Sequence, residues 1–85
     1  MISRKVTVSN PTGLHVRPAS NLAKAAESCS SRIEIIFGNS IVNAKSLLNI
    51  LSATIVKGDE IEIRCIGPRE EQDMETILTA LQHLE

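Results

Sequence analysis

One short segment, residues 12–19 (TGLHVRPA), gathers the residue types best suited to chemistry. His15 supplies a ring nitrogen that can act as a nucleophile, and Arg17 supplies a guanidinium that binds phosphate oxygens through planar, charge-assisted hydrogen bonds. Pro18 lacks an amide hydrogen and is tolerated only in a first helical turn, so it predicts a helix that starts at residues 15–17. His15 is therefore expected at or beside the N-cap, with Gly13 permitting a sharp approach.

The predicted helix start is a place where an anion is stabilised. The first amide N–H groups of a helix have no acceptor within it, and the positive end of the helix dipole lies at the same point. A phosphoryl group on His15 would be held by these amides and by Arg17, but through a reactive phosphorus–nitrogen bond. This arrangement favours a carrier of phosphate over the alternative, a histidine that only caps or solvates a helix. Phosphate loops and the H-E-x-x-H and G-x-S-x-G motifs are absent.

The segment from Gly13 to Ala19 resembles the phosphorylation-site signature of the HPr family, the histidine-containing phosphocarriers of the bacterial phosphoenolpyruvate-dependent sugar phosphotransferase system. Residues 42–46 (VNAKS) and the two leucines after them resemble the second motif of that family, and the likeness spans essentially the whole chain. The resemblance implies that His15 takes phosphate from phosphorylated Enzyme I through Nδ1 and passes it to sugar-specific IIA components, with Arg17 assisting. It implies covalent carriage without a cofactor, by a phosphotransferase-system component rather than a turnover enzyme.

The resemblance also matches Ser46 to the regulatory serine of the family. It thereby implies an HPr kinase/phosphorylase and a catabolite-control regulator as further partners. From the residues alone, a serine before an apolar run is a helix N-cap worth about 1 kcal/mol, and the two roles can coexist. The chain departs from the family pattern at Val16, Asn49 and Thr54, where a small alanine, a glycine and a glycine are usual.

The apolar run after Ser46 predicts a docking surface for protein partners. Leu47, Leu48, Ile50 and Leu51 are too many for the single core-facing stripe of a short helix, so some of them must be exposed. Leu47 and Leu51, four residues apart, are the preferred pair. The predicted partner-binding set is completed by three further residues: Leu48, Thr12 and Ser20.

Hydrophobic periodicity predicts the elements that must position these residues. Period-two alternation predicts strands over residues 4–8, 32–37, 40–43 and 60–65, with a hairpin at Gly38-Asn39. Apolar residues at helical spacing predict helices after Pro18, around residues 47–51 and through Met74 to Leu81. The order β-α-β-β-α-β-α indicates one α+β domain over residues 1–85. We expect an open-faced β-sandwich, in which three helices cover one face of a four-stranded antiparallel sheet.

Composition excludes several classes of function. Nine basic and ten acidic residues give a net charge of −1. This balance argues against a general nucleic-acid or membrane-surface binder, which is expected to carry an excess of basic residues. No apolar run suits a signal peptide or a membrane span, which predicts a cytoplasmic protein that does not insert into membranes. We also expect the protein to be a monomer. Cys29 and Cys65 are too far apart in sequence for a CxxC site and are expected to be buried thiols, so no metal site is predicted.

Three alternative functions follow from the same elements. Composition weakens the first, and the other two stay open. The element order also permits a ferredoxin-like frame, but an RNA-binding version needs stacking aromatics and Phe37 is the only aromatic residue. A small acylphosphatase-like enzyme would use an arginine in a glycine-rich loop after the first strand, which the segment from Gly13 to Arg17 matches weakly. A phosphocarrier of the nitrogen-regulatory branch would share the histidine site.

Overall fold

The computed structural model describes residues 1–84 and contains one four-stranded antiparallel sheet and three helices. The elements in chain order are β1 (Ile2–Thr7), α1 (Val16–Glu27), β2 (Arg32–Phe37), β3 (Ser40–Asn43), α2 (Leu47–Ser52), β4 (Glu60–Ile66) and α3 (Glu70–Leu81). The predicted order and fold class are confirmed. No helix within residues 1–84 is long and apolar enough to cross a membrane.

The strand order in the sheet is β1-β4-β2-β3, so the last strand in sequence lies between the first and the second. β4 shows the clearest alternation, with Ile61, Ile63 and Cys65 buried between half-buried or exposed neighbours. β1 runs from residue 2 rather than from residue 4, because its pairing with β4 extends to the Ile2–Cys65 pair. The Gly38-Asn39 turn closes the β2–β3 hairpin as predicted, with Gly38 at φ +58°.

The core lies between the sheet and the helices on one of its faces. α1, with its stripe of small alanines, lies closest to α3 and α2, whereas α3 lies close to β4 and β1. α3 contributes larger buried side chains. The buried helix residues are Pro18, Ala19, Leu22, Ala23, Ala26, Ile50, Asp73, Met74 and Ile77. The opposite face of the sheet carries charges, including ion pairs from Arg64 to Glu34 and to Glu62. The helix stripes predicted from spacing are therefore confirmed.

Both cysteine thiols are free and buried, as predicted. Burial raises the pKa of the Cys65 thiol to about 11, and it raises that of Cys29 as well. Residues 1–84 contain no cluster of three or more His, Cys, Asp or Glu side chains placed to hold a metal ion.

Asp73 is a buried charge that periodicity did not predict. Its side chain is on the core side of α3, and its Oδ2 accepts a hydrogen bond of 2.8 Å from the amide of Ser31. Hydrogen bonding by Ser31 holds the pKa of the Asp73 carboxyl below its usual value despite the opposing effect of burial. The pair joins α3 to the loop between α1 and β2.

This contact predicts a specific loss of stability in acid. Because the pKa of Asp73 is lower in the folded state, its contribution is complete above the unfolded pKa of about 4 and is lost as pH falls through the folded value. Asp73→Asn keeps an oxygen acceptor for Ser31 without the charge, so we expect a smaller drop in the urea midpoint between pH 7 and pH 3 than in the parent. Glu75→Gln, at an exposed position beyond the first turn of the same helix, should retain the parental drop. An equal drop in the parent and Asp73→Asn would contradict the assignment.

Candidate functional site

His15 is the N-cap residue of α1, as the position of Pro18 predicted. Its backbone is extended, with φ −75° and ψ −173°, and its carbonyl accepts the amide of Ala19 at 2.8 Å. The imidazole is exposed and makes no capping hydrogen bond to the helix. The side chain therefore sits at the start of the helix with its ring free to react.

The first turn of α1 beside His15 is electropositive and contains no acidic side chain. The amides of Val16 and Arg17 have no acceptor within the helix, Pro18 has no amide hydrogen, and the first turn contains no acidic residue. Arg17 is exposed and forms no ion pair with any residue from 1 to 84. The helix start can thus offer two amides, a dipole and a guanidinium to an anion attached to His15.

A turn that ends at Gly13 sets the direction in which the chain enters the N-cap of α1. The amide of Gly13 donates to the Asn10 carbonyl at 3.0 Å, and the Asn10 side-chain amide donates back to the Gly13 carbonyl. Gly13 has φ +63°, and a Cβ added there would lie 2.7 Å from Val56 Cα and 2.8 Å from the Ile55 carbonyl oxygen. Glycine is required here for its conformation and for the close approach of a second backbone.

Ser46 is the N-cap of α2, and its Oγ accepts the amide of Asn49 at 3.2 Å. The Asn49 side chain faces the preceding turn, where its Oδ1 lies 3.4 Å from the amide nitrogen of Asn43. The capping role expected for Ser46 is confirmed. Ser46 is half-buried at the N-terminus of this six-residue helix, and the hydrogen bond of its hydroxyl is exposed.

The leucines of α2 divide into two sets. Leu47 and Leu51 are half-buried and pack against the core that contains the fully buried Ile50, because residues i, i+3 and i+4 share the core-facing stripe. Leu48 lies off that stripe and is 76% exposed. The prediction that part of the run is exposed is confirmed, and Leu48 presents more apolar surface than the preferred pair. The partner-binding roles of all three stay predictions.

Two other apolar side chains near His15 are exposed: Val16 at 53% and Val56 at 56%. Val56 belongs to the loop that packs against Gly13, so the fold brings it beside the turn that precedes the histidine. Of the remaining predicted partner-binding residues, Thr12 is exposed in that turn and Ser20 is half-buried on α1. Sequence reasoning did not find Val56, because nothing in the residues around it marks it as exposed.

Comparison with known proteins identifies the family. The family model described as the "PTS HPr component phosphorylation site" matches residues 2–83. The chain belongs to the HPr family. It is 34% identical over 85 residues to the phosphocarrier protein HPr of Buchnera aphidicola from Acyrthosiphon pisum, with both chains fully covered. It is 32% identical over 85 residues to that of Haemophilus influenzae, also with full coverage of both chains.

Solved structures of HPr and of the Crh protein share the fold of this chain. An HPr structure from Thermoanaerobacter tengcongensis matches with a TM-score of 0.93 at 30% identity, covering 99% of this chain and 94% of the other. The Crh protein of Bacillus subtilis, whose structure is described as a domain-swapped dimer, matches with a TM-score of 0.76 at 29% identity, covering 96% and 94%. The predicted membership of the HPr family is confirmed by sequence and by fold.

This chain has Thr54 at a position where the family pattern has glycine. Thr54 has φ +51°, the only positive φ of a non-glycine residue within residues 1–84. A β-branched residue in this region is strained, which explains why glycine suits the position. The strained residue immediately precedes the 55–57 backbone that closely approaches Gly13.

Proposed function

We propose that this chain carries a phosphoryl group on His15, receiving it from phosphorylated Enzyme I and passing it to sugar-specific IIA components. The observation that carries the proposal is the His15 imidazole, which is exposed at the N-terminus of α1 and makes no capping hydrogen bond. The first turn of this helix has amides without acceptors and contains no acidic residue. Membership of the HPr family agrees with it, since the family model that matches is described by its phosphorylation site.

The transfer can be written as a balanced exchange. The lone pair of one ring nitrogen of His15 attacks the donor phosphorus, the bond between phosphorus and donor breaks, and that electron pair stays with the donor. One proton leaves the imidazole, and the departing atom of the donor takes one up. The amides of Val16 and Arg17 and the Arg17 guanidinium would stabilise the phosphoryl oxygens throughout. The group is held covalently, so no cofactor enters the proposal.

The partner surface in this proposal combines the exposed Val16, Leu48 and Val56 with the half-buried edges of Leu47 and Leu51. Apolar groups at the centre and charged groups at the rim are the usual composition of a transient protein interface. The proposal places the chain in the cytoplasm, where these partners act.

The direct test is incubation with phosphoenolpyruvate, Enzyme I and magnesium, followed by intact mass measurement. A phosphocarrier gains one phosphate that is labile in acid and stable in alkali. An acylphosphatase-like enzyme would instead release phosphate continuously from an acyl phosphate and retain none. Transfer from the phosphorylated chain to a sugar-specific IIA component, compared with transfer to a nitrogen-branch acceptor, separates the two branches. Absence of a stable mass gain would overturn the proposal.

We further propose that Ser46 is a regulatory phosphorylation site, acted on by an HPr kinase/phosphorylase and read by a catabolite-control regulator. Phosphate there adds about −1.5 to −2 charges at the N-terminus of α2, where negative charge is favourable. The same charge would adjoin Leu47 and Leu48 on the partner surface. Regulation would act through the shared surface and not through refolding.

Ser46→Asp tests this idea by adding charge while keeping a good N-cap residue. We expect slower phosphorylation of His15 under limiting Enzyme I, by about threefold to tenfold, from about 1 kcal/mol of lost interface energy. The melting temperature should be equal or slightly higher. Gln72→Glu adds the same charge at an exposed position of α3 and should leave the rate unchanged. A normal rate for Ser46→Asp would confine Ser46 to its capping role.

A further inference from the structure

The turn that precedes His15 is held in place by a loop about 40 residues away in the sequence. The hydrogen bonds between Asn10 and Gly13 close the turn on itself but do not join it to the rest of the domain. The Leu14 side chain is buried in the core, the Leu14 amide donates to the Ile55 carbonyl at 3.0 Å, and Gly13 closely approaches Val56. The path of the chain into His15 therefore depends in part on where residues 55 and 56 lie.

Asp59 is the residue that holds this loop. Its Oδ2 accepts the Val56 amide at 2.9 Å, and its own amide donates to the Val56 carbonyl at 3.1 Å. The turn so formed is bound to the end of β1, since the Val8 amide donates to the Asp59 carbonyl at 2.8 Å and the Gly58 amide donates to the Val8 carbonyl at 2.8 Å. Asp59 thus links the sheet to the backbone against which Gly13 packs.

We propose that Asp59 is a positioning residue for phosphoryl transfer at His15, an inference that rests on the proposed function. The carboxylate does not reach the phosphoryl group. It fixes the amide of Val56, Val56 limits where Gly13 can lie, and Gly13 sets the path of the chain into the N-cap of α1. Loss of the carboxylate leaves the Val56 amide without this acceptor, so the backbone against which Gly13 packs can shift. A small displacement of a reacting group is enough to slow a transfer strongly.

Three variants separate positioning from charge. Asp59→Ala removes the acceptor, Asp59→Asn keeps an oxygen that can accept the Val56 amide, and Glu60→Ala removes the adjacent acidic charge from an exposed position. The probe is phosphoramidate, a small donor that needs no partner surface. In that reaction the phosphorus–nitrogen bond of the donor breaks, ammonia leaves with a proton from the imidazole, and the phosphoryl group forms a bond to His15.

We expect Asp59→Ala to be phosphorylated about tenfold more slowly than the parent, Asp59→Asn within about twofold, and Glu60→Ala at the parental rate. Rates are measured by intact mass well below the melting temperature of each variant. Where Asp59→Ala is too unstable to assay, Asp59→Ser, with a shorter acceptor, should show a slowing of several-fold.

Three results would overturn the inference. A parental rate for Asp59→Ala, or for Asp59→Ser in its place, would show that the bond to Val56 does not position His15. Equal slowing of Asp59→Asn and Asp59→Ala would assign the effect to charge. A parent protein that takes no phosphate from phosphoramidate but accepts it from Enzyme I would also contradict the inference, because His15 would then not be held ready to react. A parent that accepts phosphate from neither donor would instead overturn the proposed function.

Discussion

His15→Ala is expected to abolish the gain of acid-labile phosphate from phosphoenolpyruvate and Enzyme I while leaving the fold intact. The imidazole is exposed and makes no capping hydrogen bond, so its removal takes away the nucleophile and little packing. A surface change of this kind alters the free energy of unfolding by about 0.5 kcal/mol or less. Intact mass after incubation and a thermal melting curve measure the two effects.

The chain offers a matched control for this variant. His83 is the only other histidine, and it is exposed just beyond the end of α3. His83→Ala should accept one phosphate as the parent does. Phosphate acceptance by His15→Ala, or its loss in His83→Ala, would assign the phosphoryl group to a different residue. A large fall in the melting temperature of His15→Ala would point to a structural histidine instead.

Gly13→Ala is expected to produce the largest loss of stability among the single changes considered. The added methyl would lie 2.7 Å from Val56 Cα, 2.8 Å from the Ile55 oxygen and 3.1 Å from the Lys57 nitrogen, all of them backbone atoms that cannot turn aside. The left-handed conformation adds about 1–2 kcal/mol for a residue with a Cβ. Together, the clash and the conformation should lower the free energy of unfolding by about 2–4 kcal/mol.

Gly38→Ala separates these two costs. Gly38 has nearly the same conformation, φ +58°, but nothing lies within 4 Å of an added Cβ. It should lose only the conformational part, about 1–2 kcal/mol, and keep the parental rate of His15 phosphorylation. Gly13→Ala should also be phosphorylated more slowly at temperatures where it stays folded, because the turn before His15 must move. Equal destabilisation by the two changes would contradict the close approach of the 55–57 backbone to Gly13.

Short-range patterns in the sequence predicted much of this molecule. Pro18 indicated where α1 begins, because a residue without an amide hydrogen fits only the first turn, and the structure puts the N-cap at His15. The alternation of β4 and the alanine stripe of α1 predicted which side chains are buried, because both repeats follow directly from strand and helix geometry. The α2 leucines are an exception: the sequence favoured Leu47 and Leu51 as the docking pair, but both share the core-facing stripe with Ile50, and Leu48 is the most exposed of the three leucines.

Tertiary structure alone decided what surrounds the histidine. Ile55 and Val56, in the loop that Asp59 holds, contact Gly13 and Leu14 from about 40 residues away, and no periodic pattern in either segment indicates the other. The burial of Asp73 depends in the same way on the Ser31 amide, 42 residues distant. Local patterns reflect the geometry of one segment, whereas these contacts form only when loops from separate elements meet at the same end of the sheet. The residue types and spacing around His15 therefore indicated the residue that we propose as the phosphoryl carrier, and the packing of distant loops decided how that residue is held.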